Sequence, residues 1–123
     1  MKAYVLIALF GAIGSMSRYS VVKFTPKVFL LNFPIGTLLV NLIGSFLIGC
    51  ISGIFEKNYI SQEMRLCIIF GFLGGFTTFS AFTFEFFNLL KNSEYLNAFL
   101  YLLLSVFLSL ALFILGYKLF KIL

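Results

Sequence analysis

Four long apolar runs dominate this sequence and decide what it can fold into. They extend over about residues 3–22, 33–55, 66–90 and 95–120. Each is long enough to cross a hydrocarbon core of about 30 Å, which takes about 20 apolar residues in a helix. Because the runs are continuously apolar rather than alternating, they predict helices and not the strands of a β-barrel. We therefore expect an all-α integral membrane protein, with residues 1–123 forming one four-helix membrane domain.

The few polar residues exclude most chemistry on soluble substrates. The chain has no histidine, and its four acidic residues are all glutamate, so zinc sites, catalytic triads and histidine proton shuttles lack their parts. The net charge of +5 comes from nine basic residues scattered over the links between the runs, which does not form a nucleic-acid-binding patch. We expect no enzyme and no nucleic acid partner. Cys50 and Cys67 lie in or beside apolar runs and are expected to be free thiols.

The basic residues are balanced between the two ends of the predicted bundle. With four spans, one end holds Lys2, Lys57, Arg65, Lys118 and Lys121, and the other holds Arg18, Lys23, Lys27 and Lys91. Lysine and arginine on short loops set which side of a membrane protein faces the cytoplasm. Five against four gives no preferred orientation. The count predicts dual topology, in which copies inserted both ways pair as an antiparallel homodimer.

Two predicted helices carry small or polar residues at every fourth position, which places them on one face. In the second run these are Thr37, Asn41, Ser45, Gly49 and Gly53, and in the fourth Tyr101, Ser105 and Ser109. Small residues at this spacing let helices approach closely, either within a subunit or between subunits. A side-chain amide at mid-membrane depth, such as that of Asn41, either forms hydrogen bonds that hold helices together or lines a polar route. The serines either bond their own i−4 carbonyls or form a track of uncharged donors that suits an anion.

The third run contains the least helix-like stretch of the chain, GFLGGFTTFSAFTFE at residues 71–85. Its glycines, followed by Thr77 and Thr78, predict a break near residues 74–78, although a glycine-rich helix packed against a neighbour is the alternative. Beyond it, Phe79, Phe82 and Phe86 share one face. Their rings either pack in the core or contact lipid, or turn their positive edges toward an anion. Glu85 is the one carboxylate inside an apolar run, which makes it a candidate for function.

These residues resemble a known family. The pattern G-x-x-G-G-x-T-T-F-S-x-F at 71–82 is similar to that of the Fluc (CrcB-type) fluoride channels. Three other parts of the chain resemble the same family: Arg18, the stretch G-T-x-x-V-N-x-x-G-S-F at 36–46, and the tyrosine–serine stripe of the fourth run. The likeness therefore covers nearly the whole chain. One departure is Ala81, where many relatives have threonine or serine.

The resemblance implies an antiparallel dual-topology homodimer in the prokaryotic inner membrane, with two pores that export fluoride passively. It also implies a structural sodium ion at the dimer interface, bound by the backbone carbonyls of Gly74 and Thr77. Arg18 would lie in the vestibule. The fluoride pathway would contain Asn41, Phe79, Phe82, Ser80, Thr37, Tyr101, Ser105, Ser109 and Glu85.

Two other functions fit parts of the sequence. Proton-coupled small multidrug exporters share the short four-helix plan, but they rely on a glutamate in the first helix, and the first run here has no acidic residue. A noncatalytic membrane scaffold would account for the small-residue faces. It would leave the hydroxyl stripe and Asn41 unexplained.

Overall fold

The computed structural model describes residues 1–25 and 33–122, and the regular structure of these residues is entirely helical. Lys27, one of the charges counted above, lies outside the described residues. The helices are α1 (Lys2–Phe24), α2 (Ile35–Glu56), α3 (residues 62–76), α4 (Phe79–Lys91) and α5 (Tyr95–Ile122).

Four membrane spans are present among the described residues, as the apolar runs predict. Helices α1, α2 and α5 each form one span, and α3 with α4 forms the remaining one, Gln62–Lys91. All four are long and apolar enough to cross a membrane. The predicted all-α, four-span architecture is therefore confirmed, with span ends that lie a few residues from those read off the sequence.

Short turns join the later helices. Asn58, after α2, and Ser93, after α4, adopt left-handed backbone angles, with φ of 59° and 61°, a conformation that asparagine tolerates better than most residues. Ser61 begins α3, where its hydroxyl accepts a hydrogen bond of 3.2 Å from the Met64 amide. Such a cap satisfies one of the free amides at the start of a helix. These turns make consecutive spans antiparallel neighbours.

Two stretches of the later spans are wound as π-helix, which the sequence did not predict. They are Cys67–Leu73 in α3 and Leu104–Leu108 in α5. The wider turn of a π-helix often occurs near functional sites. Here the second stretch contains Ser105, one of the residues of the predicted hydroxyl track.

Glycines bring α2 and α5 into backbone contact. A Cβ atom added to Gly49 would overlap the carbonyl oxygen of Phe113, and one added to Gly53 would lie 2.7 Å from that of Tyr117. From the other helix, a Cβ on Gly116 would overlap the carbonyl oxygen of Phe46. The G-x-x-x-G face of α2 is therefore used for packing within one subunit, which is one of the two roles the spacing left open.

Helices α1 and α3 pack in the same way. A Cβ on Gly14 would overlap the carbonyl oxygen of Phe72, and one on Gly75 would overlap that of Gly11. Gly71 faces Phe10 of α1, where an added Cβ would lie 2.7 Å from the Phe10 Cβ. The glycines of the third run thus remain helical, and Gly71 and Gly75 pack on α1. The break falls after them, at Thr77 and Thr78.

The contact of α1 with α3 predicts different outcomes for two glycines of one helix. Gly14→Ala should lower the free energy of unfolding by about 1–3 kcal/mol, because the new methyl group meets a backbone oxygen that has no rotamer to change. Reversible unfolding in mixed detergent micelles measures this. Gly11→Ala is the matched control, since its Cβ would lie 3.6 Å from the Gly71 carbonyl oxygen, at ordinary contact distance. Equal stability of the two variants would contradict the packing described here.

Candidate functional site

One side chain of α2, that of Asn41, forms the hydrogen bonds that stabilise the break in the third span. Thr77 and Thr78 have extended backbone angles, with ψ of 155° and 126°. The Thr78 amide donates a 2.8 Å hydrogen bond to Asn41 Oδ1, and Asn41 Nδ2 donates one of 3.0 Å to the Thr78 carbonyl. Unwound backbone at membrane depth must find such partners within the protein. The Asn41 carboxamide therefore replaces the hydrogen bonds that helical neighbours would have supplied to Thr78.

The Thr78 hydroxyl starts the next helix. It accepts a 3.1 Å hydrogen bond from the Ala81 amide, and it lies 3.1 Å from the Ser80 hydroxyl, with which it shares a hydrogen bond. On the other side of the break, the Thr77 amide and hydroxyl both donate to the Leu73 carbonyl, at 2.9 and 2.8 Å. Thr77 thus ends α3, and Thr78 caps the start of α4.

These bonds free two carbonyl groups. In a continuous helix, the amide of Thr78 would bond the Gly74 carbonyl, and the amide of Ala81 would bond that of Thr77. Here the first amide donates to Asn41 and the second to the Thr78 hydroxyl. Gly74 is also exposed on the surface of the single chain. The break therefore leaves these backbone oxygens without their helical amide partners.

Glu85 lies in a second polar cluster, one turn of α4 beyond Phe82. The Thr37 hydroxyl donates a 2.8 Å hydrogen bond to its Oε1, and the Tyr101 hydroxyl donates one of 2.8 Å to its Oε2. Tyr101 is fully buried, and Glu85 is half-buried. Each carboxylate oxygen thus has its own hydroxyl donor, which explains how this group is tolerated within a membrane span.

Aromatic rings connect the break with the Glu85 cluster. The Phe82 ring centroid lies 5.5 Å from that of Phe79, 6.0 Å from that of Phe86 and 5.0 Å from that of Tyr101. These are the offset and tilted arrangements that aromatic pairs favour. Phe82 is buried, whereas Phe79 is 79% exposed in the single chain. The row of rings therefore leads from the surface to the buried tyrosine.

A cavity of about 250 Å³ lies between α2, α5 and the break. The residues that line it are Asn41, Ser45, Ile48, Thr77, Thr78, Phe79, Phe82, Ser105, Val106 and Ser109. The Ser105 hydroxyl oxygen is buried, and it has no hydrogen-bond partner among the described residues. It therefore does not bond its own i−4 carbonyl, the alternative that the sequence left open. A buried hydroxyl without a protein partner costs free energy unless a water molecule or a ligand satisfies it.

The structure brings together most of the residues predicted for the pathway. Five of them line the cavity, namely Asn41, Phe79, Phe82, Ser105 and Ser109. Thr37, Tyr101 and Glu85 form the cluster beyond Phe82, and Ser80 is exposed beside Thr78. Arg18 is half-buried on α1 and does not line the cavity. The sequence missed Ile48 and Val106 as lining residues, and nothing in their apolar context distinguishes them. It also gave no pathway role to Ser45, although Ser45 lies in the stripe of α2.

The site offers uncharged donors and ring edges rather than catalytic groups. The cavity lining includes three serine hydroxyls and two phenylalanines but no charged side chain. The described residues contain no group of three or more histidine, cysteine, aspartate or glutamate side chains placed to hold a metal ion. Such a lining suits an ion that is partly dehydrated, held weakly and then released.

Comparison with known proteins relates the whole chain to one family. The family model described as CrcB-like protein, Camphor Resistance (CrcB), matches residues 5–117. The fluoride-specific ion channel FluC of Ignicoccus hospitalis is 43% identical over 106 residues, which cover 86% of this chain and 85% of that protein. The protein of the same name from Geobacter sulfurreducens is 46% identical over 111 residues, covering 89% and 90%. That from Thermus thermophilus is 44% identical over 119 residues, covering 97% and 95%.

The pairing of Asn41 with Thr78 predicts a loss of stability in Asn41→Ala. The substitution leaves an amide and a carbonyl unpaired at membrane depth, and each should cost about 1–3 kcal/mol of unfolding free energy. Unfolding in mixed micelles measures the effect. Asn88→Ala is the control, because the Asn88 side chain makes no hydrogen bond with the described residues. A loss no larger in Asn41→Ala than in the control would show that Asn41 does not hold the break.

Proposed function

The chain belongs to the CrcB-like family, and on that basis we propose that it is a fluoride-selective ion channel that exports cytoplasmic fluoride by passive electrodiffusion. Its relatives named above are fluoride-specific ion channels. The protein is a multi-pass membrane protein and not an enzyme. The observation that carries the proposal is the buried, unpartnered Ser105 hydroxyl in a cavity lined by further hydroxyls and by aromatic rings.

Fluoride suits this lining for a physical reason. It is a small anion that accepts strong hydrogen bonds, and a dehydrated ion needs donors to replace its water. The Ser105 and Ser109 hydroxyls supply such donors, and the Phe79 and Phe82 rings can add their positive edges. Because the lining has no positive charge, the ion is not trapped, which favours conduction over binding.

The Glu85 cluster continues this route past Phe82. The Thr37 and Tyr101 hydroxyls are fixed by the carboxylate to which they donate. A fluoride ion that reaches them shares those donors, while the negative charge of an ionised Glu85 shortens its stay. We therefore assign Thr37, Tyr101 and Glu85 to a second part of the pathway, with Ser80 near its beginning. Arg18 would raise the local concentration of anions at the vestibule.

The membrane potential supplies the driving force. Fluoride enters an acidified cell as neutral HF, ionises inside and is trapped as the anion. An inside-negative potential then favours outward movement of the anion by about 2.3 kcal/mol per 100 mV. A passive pore therefore suffices to lower the toxicity of cytoplasmic fluoride. A proton-coupled exporter receives no support, because α1 carries no acidic residue.

We further propose that two copies assemble as an antiparallel homodimer with two pores and a sodium ion between them. The balanced loop charges support the antiparallel arrangement. Gly74, Phe79 and Ser80 are exposed in the single chain at membrane depth, which supports a partner on this face. The freed carbonyls of Gly74 and Thr77 fit a hard cation, and they would hold it at this interface.

The proposed channel predicts fluoride efflux from liposomes that contain the purified protein. With a potassium ionophore present, a fluoride electrode should record rapid release, and a chloride electrode in parallel should record little. Phe82→Ile should lower the fluoride rate about tenfold, because the variant loses the ring edge that faces the ion. Efflux is measured on protein whose thermal unfolding midpoint has been checked.

Phe87→Ile is the matched control for this experiment. Phe87 lies on the same helix but is 61% exposed and does not line the cavity. Its substitution should leave the fluoride rate unchanged. Wild-type protein that stays folded but releases neither anion would refute the channel function, whereas equal rates in Phe82→Ile and Phe87→Ile would refute only the role of Phe82.

The proposed assembly predicts labelling from both sides of the membrane. A cysteine appended to the C-terminus should react with a membrane-impermeant maleimide in intact cells and, in a separate fraction, only after lysis; Cys50 and Cys67 are buried and add little background. Purified protein should also unfold at a lower temperature when potassium replaces sodium. Labelling of a single fraction would contradict dual topology, and equal unfolding temperatures would contradict the sodium site.

A further inference from the structure

The polar faces of α2 and α5 lie opposite each other in register. Each helix repeats its facing residues at every fourth position: Thr37, Asn41, Ser45, Gly49 and Gly53 on α2, and Tyr101, Ser105, Ser109, Phe113 and Tyr117 on α5. The two helices run in the same direction, because contacts at rising positions of one meet rising positions of the other. The third, fourth and fifth residues of the α2 series therefore lie beside the third, fourth and fifth residues of the α5 series.

Contacts at both ends of the two series fix this register. At one end, Thr37 and Tyr101 each donate 2.8 Å hydrogen bonds to the same carboxylate of Glu85. At the other end, Gly49 packs on the Phe113 carbonyl, and Gly53 packs on that of Tyr117. Counted back by one turn from the contact of Gly49 with Phe113, Ser45 lies opposite Ser109, on the α-helical side of the π-helical stretch. Asn41 and Ser105 precede them by a further turn. All four line the cavity, as this pairing requires.

Three of the polar residues on these two faces, Ser45, Ser105 and Ser109, make no side-chain hydrogen bond with the described residues. The Asn41 amide is committed to Thr78, and the Thr37 and Tyr101 hydroxyls are committed to Glu85. Neither Ser45 nor Ser109 makes a side-chain hydrogen bond with the residues that the structure describes. Together with the buried hydroxyl of Ser105, they leave three donors free in one cavity.

We propose that Ser45 is a further anion-binding residue of the pathway and that it forms a two-hydroxyl fluoride subsite with Ser109. This inference rests on the proposed channel function. Each pair of facing residues on α2 and α5 forms one layer. The subsite is the last polar layer before Gly49, where the backbones of α2 and α5 come into contact. Donors from two facing helices can satisfy a small anion from both sides, which a single helix cannot do. The subsite is separate from the Glu85 cluster, which lies two layers away along the same stripes.

The test compares liposomal fluoride efflux of Ser45→Ala, Ser109→Ala and the double variant with the wild type. Each single substitution should lower the rate about tenfold and raise the half-saturating fluoride concentration, because a charge-assisted hydrogen bond is lost. The double variant should lose less than the product of the two single effects, since both hydroxyls bind the same ion. Thermal unfolding midpoints should stay within the range of the wild type.

Ser52→Ala is the matched control, because Ser52 lies on α2 two turns beyond Ser45 and does not line the cavity. It should conduct like the wild type. If the wild type conducts and Ser45→Ala equals Ser52→Ala in rate and half-saturation, the subsite is overturned while the channel function stands. Strictly multiplicative effects of Ser45→Ala and Ser109→Ala would also overturn it. If the folded wild-type protein releases no fluoride, the proposed channel function itself is refuted.

Discussion

The requirement that every backbone polar group be satisfied within the membrane governs this molecule. A helix meets that requirement by itself, but Thr77 and Thr78 do not belong to a helix. The Asn41 carboxamide meets it for Thr78 with one donated and one accepted hydrogen bond. Because these bonds come from α2, the break exists only while α2 stays beside the third span. The free carbonyls, the start of α4 and the placement of its rings all follow from this contact.

One four-residue repeat serves two purposes in α2. In its first half the repeat places Thr37, Asn41 and Ser45 toward the polar groups of the site. In its second half it places Gly49 and Gly53 against the backbone of α5. The same periodicity thus produces a polar face in one half and a close helix contact, the glycine seam, in the other, and only the side chains distinguish them. The seam holds α2 and α5 in the register on which the facing hydroxyls depend.

Sequence reasoning gave the spans and the family, but not the partners of individual groups. Span number follows from apolar length, a property of each segment alone. The partner of Asn41 is a backbone amide, and its identity depends on how far α2 is shifted along the third span, which no periodicity reports. The glycines of the third run suggested the site of the break, yet Gly71 and Gly75 are helical because they pack on α1. Likewise, the sequence singled out Glu85 but did not show that Thr37 and Tyr101 would share its two oxygens.

The glycine seam between α2 and α5 also has a consequence for motion. Its contacts join backbone to backbone at Gly49, Gly53 and Gly116, so no rotamer change can loosen them. At the other end the two helices meet only through the Glu85 side chain, which can change rotamer, so their separation is less tightly fixed there. Thermal fluctuations in the separation of α2 and α5 should therefore be smaller at Ser45 than at Thr37. The separation of Ser45 and Ser109 should therefore stay nearly constant, while the Glu85 end of the two helices is able to adjust.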